Sequence, residues 1–172
     1  MDITAYKLDA RHQPGLARVE AVAANCAGIA SRELREATGH VEIRVTDRRH
    51  FAEAVIAAEQ QAIGVNHRPQ LSDGYSNWGF TTASTRGAVL VIDVESCRGN
   101  HEIDKTLIHE FVHAAQLRRP GVRDLHLAGL RNNYGIHQLA RRDAKRLNRQ
   151  IAAQEREAAR YERYARQLRD FH

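Results

Sequence analysis

Apolar and polar residues change period several times along this chain, and each change predicts an element. Residues 16–37 carry Ala, Leu and Val at helical spacing between Pro14-Gly15 and Gly39, which predicts a helix in which Gly28 marks close packing. Val41-Glu42-Ile43-Arg44-Val45 alternates with period two, the pattern of a half-buried strand. Asp47 is placed to cap a second helix from about Arg48 to Ile63, closed by Gly64. Asn66, Pro69, Ser72, Asp73 and Gly74 make residues 64–74 a loop. Two strands are expected next, over 76–83 and 88–95, joined by a hairpin turn at Ser84–Gly87. The second is apolar at nearly every position and is expected to be buried on both faces. The first has Gly79 in its interior, a mark of a bulge or of close approach by another backbone. A helix over about 101–118 ends at Pro120-Gly121. A short helix at 124–131, a turn at 132–135 and a long helix from about 136 to 169 complete the chain. With no repeat or low-complexity linker, residues 1–172 read as one domain. It is expected to be α+β, a small mixed sheet of about three strands backed by helices.

The helix over 101–118 is not ordinarily amphipathic. Leu107, Ile108, Phe111, Val112, Ala114 and Ala115 make it apolar on most sides, yet His109, Glu110 and His113 sit among them. Positions four apart share a helix face, so the two imidazoles can hold one zinc ion with Glu110 beside them as a base. Buried without partners, these groups would be costly; a metal ion removes that cost.

Two histidines do not complete a catalytic zinc site, which usually has three protein ligands and one open position. The candidates downstream are His126, His137, Asp143, Glu155, Glu157 and Glu162. At about 100° per residue, Ala158, Tyr161, Tyr164, Ala165 and Leu168 share one apolar arc. Glu157 lies roughly 40° from its centre and Glu155 roughly 120° away. Glu157 is therefore the core-facing carboxylate, with Glu155 and His126 the alternatives. Tyr161, one turn after Glu157, shares that face and is a candidate to steady an oxyanion, as are Tyr134 and His137.

Composition adds boundaries. Of the 172 residues 42% are hydrophobic, a globular rather than disordered balance. No run of ~18 apolar residues exists to span a membrane. The N-terminus has no basic start followed by an apolar core, so a cytoplasmic setting is expected. Cys26 and Cys97 read as reduced core residues. The net charge of +5 is concentrated: residues 141–170 hold ten Arg or Lys against five Asp or Glu. Without aromatic interleaving, this reads as the solvated face of a helix rather than a nucleic-acid contact.

The segment Thr106-Leu-Ile-His109-Glu110-Phe-Val-His113-Ala-Ala115 resembles the zinc-binding helix of the zincin metallopeptidases. Gln116 and Arg119 stand where the metzincin extension requires Gly and His. The later segment Glu155-Arg-Glu157-Ala-Ala-Arg-Tyr161 resembles the Glu-x-Glu-Ala segment of gluzincins, including minigluzincins and small bacterial and phage metallopeptidases. That resemblance implies a peptidase with one zinc ion held by His109, His113 and a glutamate of the last helix, Glu157. It also implies a sheet above the cleft whose antiparallel edge strand, here 76–82, binds extended peptide or protein substrate. Two other functions stay open. One is a zinc-bound module that binds protein or DNA through the basic helix. The other is a latent enzyme whose cleft is covered by residues 121–135.

Overall fold

The apolar run Ala88-Val89-Leu90-Val91-Ile92 is buried on both faces because helices cover the sheet on each side. The computed structural model of the protein describes residues 1–70 and 78–168. Their strands are β1 (Asp2–Ala5), β2 (His40–Thr46), β3 (Gly79–Ala83) and β4 (Gly87–Asp93). Their helices are α1 (Gln13–Leu34), α2 (Phe51–Ile63), α3 (Asn100–Gln116), α4 (Val122–Asn133) and α5 (Arg141–Tyr161). The sheet order is β1-β2-β4-β3; the first three strands are parallel, and β3 runs antiparallel at the edge beside β4.

Alternation along β4 divides the core. Ala88, Leu90 and Ile92 join Val41, Ile43 and Val45 against α1 and α3, while Val89 and Val91 meet Phe51, Ala54, Val55 and Ala58 of α2. Glu42 and Arg44 on the other face of β2 are half-buried and pair with each other, as period two requires.

The chain is thus mixed α/β, with four strands among the described residues rather than about three. β1 escapes the periodicity because Asp2-Ile3-Thr4-Ala5 has one large apolar side chain and is mostly exposed; backbone pairing with β2 holds it. Helix boundaries shift for identifiable reasons. α1 stops at Leu34, before Gly39, because Arg35 adopts a left-handed conformation (φ 55) and returns its N–H to the last turn. Gly28 has open space around it, so close packing is not its role. Asp47 caps the turn that leads into α2, its Oδ1 accepting from the N–H of His50 at 3.1 Å. The last helix is shorter than 136–169: it begins at Arg141 and tightens into a 3-10 segment over Glu162–Leu168. Within the expected loop 64–74 and strand 76–83, residues 71–77 lie outside the described residues.

One buried ion pair fixes α3 relative to its neighbours. Arg18 of α1 donates to both oxygens of Asp104 on α3, at 2.9 and 2.7 Å, and to the carbonyl of Leu168 at 2.9 Å. Both side chains are buried, and removing one charge strands the other. Arg18→Ala is expected to cost about 3–5 kcal/mol in chemical denaturation, whereas Arg18→Met with Asp104→Leu is expected to recover most of it.

Candidate metal centre

His109 and His113 lie one turn apart on α3, and their Nε2 atoms approach to 3.0 Å. Glu155 of α5 reaches across, with Oε2 3.3 Å from His109 Nε2 and Oε1 3.3 Å from His113 Nε2. One ligand atom from each of the three lies within 4.8 Å of the others. For comparison, the edge of a tetrahedron with zinc bonds of about 2.0 Å is about 3.3 Å.

The far side of each ring is tied. His109 Nδ1 lies 2.9 Å from Glu162 Oε1, and His113 Nδ1 lies 2.8 Å from Gln116 Oε1. Both partners are acceptors, so each Nδ1 carries a hydrogen, and the two Nε2 atoms face each other and the Glu155 carboxylate. Such an arrangement could hold a metal ion, and zinc is one ion whose usual donor set of imidazoles and a carboxylate it matches. Without a metal, a proton takes its place. Burial alone would depress His109, but hydrogen bonds to Glu155 and Glu162 outweigh it and raise the ring to about 10. His113 is likewise raised, Glu155 overcoming burial. Hydrogen bonds from both rings hold Glu155 well below the usual carboxylate range.

Glu110 is buried behind the pair. Thr81 of β3 donates to its Oε2 at 2.7 Å, and Oε1 carries no hydrogen bond among the described residues. Burial raises its pKa, partly offset by the neighbouring histidines. Gly79 explains how β3 comes so near: a Cβ there would lie 2.6 Å from Glu110 Oε1 and 2.7 Å from Thr106 Cγ2. The close approach expected at this glycine is real, but it is made by side chains of α3 rather than by another backbone.

These groups line a cleft of ≈ 710 Å³. Trp78, Gly79, Phe80 and Thr81 form one wall, and α4 and α5 form the opposite one through Gly129, Leu130, Leu147 and Ile151. Residues 121–135 contribute to this lining through α4.

The downstream candidates separate. Glu157 does not meet the histidines: Arg119 grips its oxygens at 2.7 and 2.9 Å, and Gln116 donates to Oε2 at 2.9 Å. Its inward direction is as expected, but an arginine satisfies it. The rotation count places Glu157 inward correctly but does not say which partner meets it there, and that partner is Arg119. Glu155 is half-exposed because it faces an open cleft. Tyr161 packs against the core and stacks on Tyr164 at 6.0 Å; it is not in the cleft. Tyr134 is buried and donates to Glu59 at 2.9 Å, while His137 and Asp143 lie outside the cluster. His126 lines the cleft without joining the group. Its Nε2 meets Thr82 Oγ1 at 3.0 Å, and burial, with Arg123 nearby, lowers it to about 4, so it is neutral at pH 7. Thr81 and Gln116 were not singled out by sequence. Gln116 carried one usable signal, lying three residues after His113 on the same face; Thr81 carried none, since only the sheet brings it to Glu110.

No family model matches the sequence, and neither a curated protein nor a solved structure similar to it is found.

Because His109 is raised to about 10, a zinc ion bound at the rings would have to compete with protons at neutral pH. Zinc uptake at pH 7 is expected to release at least one proton, and affinity to fall roughly tenfold per pH unit for each proton displaced. Titration calorimetry in two buffers of different ionisation enthalpy measures this; buffer-independent heats would contradict it.

Proposed function

We propose that this chain is a zinc-dependent peptidase that hydrolyses peptide bonds with Glu110 as general base. The observation that carries this reading is the convergence of His109, His113 and Glu155 beside a buried Glu110, beneath a sheet-edge strand. His109, His113 and Glu155 would hold the ion, with Glu162 and Gln116 orienting the rings. Zinc supplies Lewis acidity there, acidifying water towards a pKa of ~7 and polarising a carbonyl.

The chain's own residues do the rest. Glu110 Oε1 takes the proton of the attacking water as the new C–O bond forms. It then returns that proton to the amide nitrogen as the C–N bond breaks. Its raised pKa suits a carboxylate that must hold a proton briefly near neutrality. The Thr81 hydroxyl fixes the other oxygen, leaving Oε1 to face the reaction. Strand β3, at the sheet edge, offers backbone groups to an extended peptide. Trp78 and Phe80 beside it supply apolar surface for side chains.

Glu110→Gln is expected to retain one zinc ion and lose about 10²–10⁴-fold in turnover of a mixed peptide library. Wild-type rates in that variant would refute the reading. Glu155→Ala is expected to lose stoichiometric zinc by metal analysis, while Glu157→Ala keeps the ion.

A second reading, a nucleic-acid-binding module, has one observation in its favour. Arg141, Arg142, Lys145, Arg146 and Arg149 lie exposed together on α5, with no ion pair among the described residues. Duplex-DNA binding that weakens steeply with salt and vanishes on reversing these charges would favour it; absence of binding at low salt removes it.

A further inference from the structure

We propose that Gln116 and Glu157 are positioning residues that select the ring tautomer of His113, and so decide whether its Nε2 is free to bind metal. The proposal rests on the zinc-site reading above and assigns a role to two residues that do not touch the ion's position.

Gln116 is fully buried, and its amide has three partners. Oε1 accepts from His113 Nδ1 at 2.8 Å, while Nε2 donates to Glu157 Oε2 at 2.9 Å and to the carbonyl of Gln154 at 3.2 Å. The two ends of an amide differ only in hydrogen bonding, so these partners alone determine which way it points. Flipped, Gln116 would press its oxygen against a carboxylate and a carbonyl, two acceptor–acceptor contacts in a buried place where unmatched polar groups are costly. It would also offer N–H to His113 Nδ1. That nitrogen would then have to accept, and the ring hydrogen would move to Nε2, the atom that must be bare to bind a metal.

Glu157 is thus the group that forbids the wrong orientation, and it is itself held. Arg119 grips both of its oxygens in a bidentate pair and uses Nε to reach Glu36 beyond the end of α1, at 2.8 and 3.1 Å. A ladder of five side chains, Glu36, Arg119, Glu157, Gln116 and His113, therefore runs from the exit of α1 to the second histidine. His109 needs no such device, since Glu162 can only accept. The amide at position 116 is ambiguous on its own, and the neighbouring carboxylate removes the ambiguity.

The test measures zinc affinity by chelator competition on the full chain, with circular dichroism to confirm folding. Gln116→Leu is expected to weaken binding 10–100-fold, and Glu157→Ala about tenfold by the same kind of loss. The exchanged pair, Gln116→Glu with Glu157→Gln, keeps an acceptor towards His113 and restores a donor–acceptor contact between positions 116 and 157, while setting a carboxylate oxygen at position 116 against the Gln154 carbonyl and an amide at position 157 against Arg119. It is expected to recover part of the affinity lost in Gln116→Glu alone, which sets two carboxylates against each other. A merely structural role would not produce that rescue. Folded variants that all bind within twofold of wild type would overturn the proposal. Should the wild type take up no zinc, the peptidase reading fails, and nitrogen NMR of the metal-free protein, titrated until His113 is neutral, judges the ring alone. The Nδ1–H form in wild type and a mixture in Glu157→Ala supports selection by the ladder; identical tautomers in both overturns it.

Discussion

His109 and His113 bring their Nε2 atoms to 3.0 Å, an approach that works when a proton is shared between the rings and the Glu155 carboxylate, or when a cation takes its place. Every other polar feature around α3 keeps them aimed that way. Glu162 and Gln116 pull the Nδ1 hydrogens outward, Glu155 closes the triangle, and Arg18 anchors the buried helix through Asp104 one turn before His109. The apolar sheath of Leu107, Ile108, Phe111 and Val112 keeps the helix from rotating. It also confines solvent to the cleft side, where the rings are partly open.

Much of this is legible along the chain, and what is not has definable causes. Periodicity finds the five helices and β2, and the apolar run identifies β4 as doubly covered. It cannot find β1, which joins by backbone pairing with little apolar burial. The four-residue spacing brings His109 and His113 together because helical geometry is local. The third carboxylate depends on how α5 crosses α3, which is tertiary. Angular counting ranked Glu157 above Glu155 by treating inward direction as equivalent to reaching the metal. Glu157 does point inward, and Arg119 is there to meet it; Glu155 looks solvent-facing by composition because the cleft is itself open. Tyr161 also points inward, and there it packs against the core and Tyr164 rather than entering the cleft.

The ends of α5 divide its labour. Its first turns expose a row of arginines and lysine to solvent, while Glu155 and Glu157 near its far end face α3. Glu162, just past the change to 3-10 geometry, returns to the same His109 ring that Glu155 meets. Two carboxylates seven residues apart, about two helical turns, thus bracket one imidazole.

Position 79 holds a hydrogen where nearly any other residue would hold carbon. Floor and roof of the cleft are consequently separated by the thickness of one bare α-carbon, and even a methyl group would have to displace Glu110 or Thr106. Evolution can vary the walls formed by Leu147, Ile151 and Phe80 to change what the groove accepts. At Gly79 there is no such latitude, because enlargement there would push aside the buried Glu110 carboxylate that lies between the two histidines in sequence.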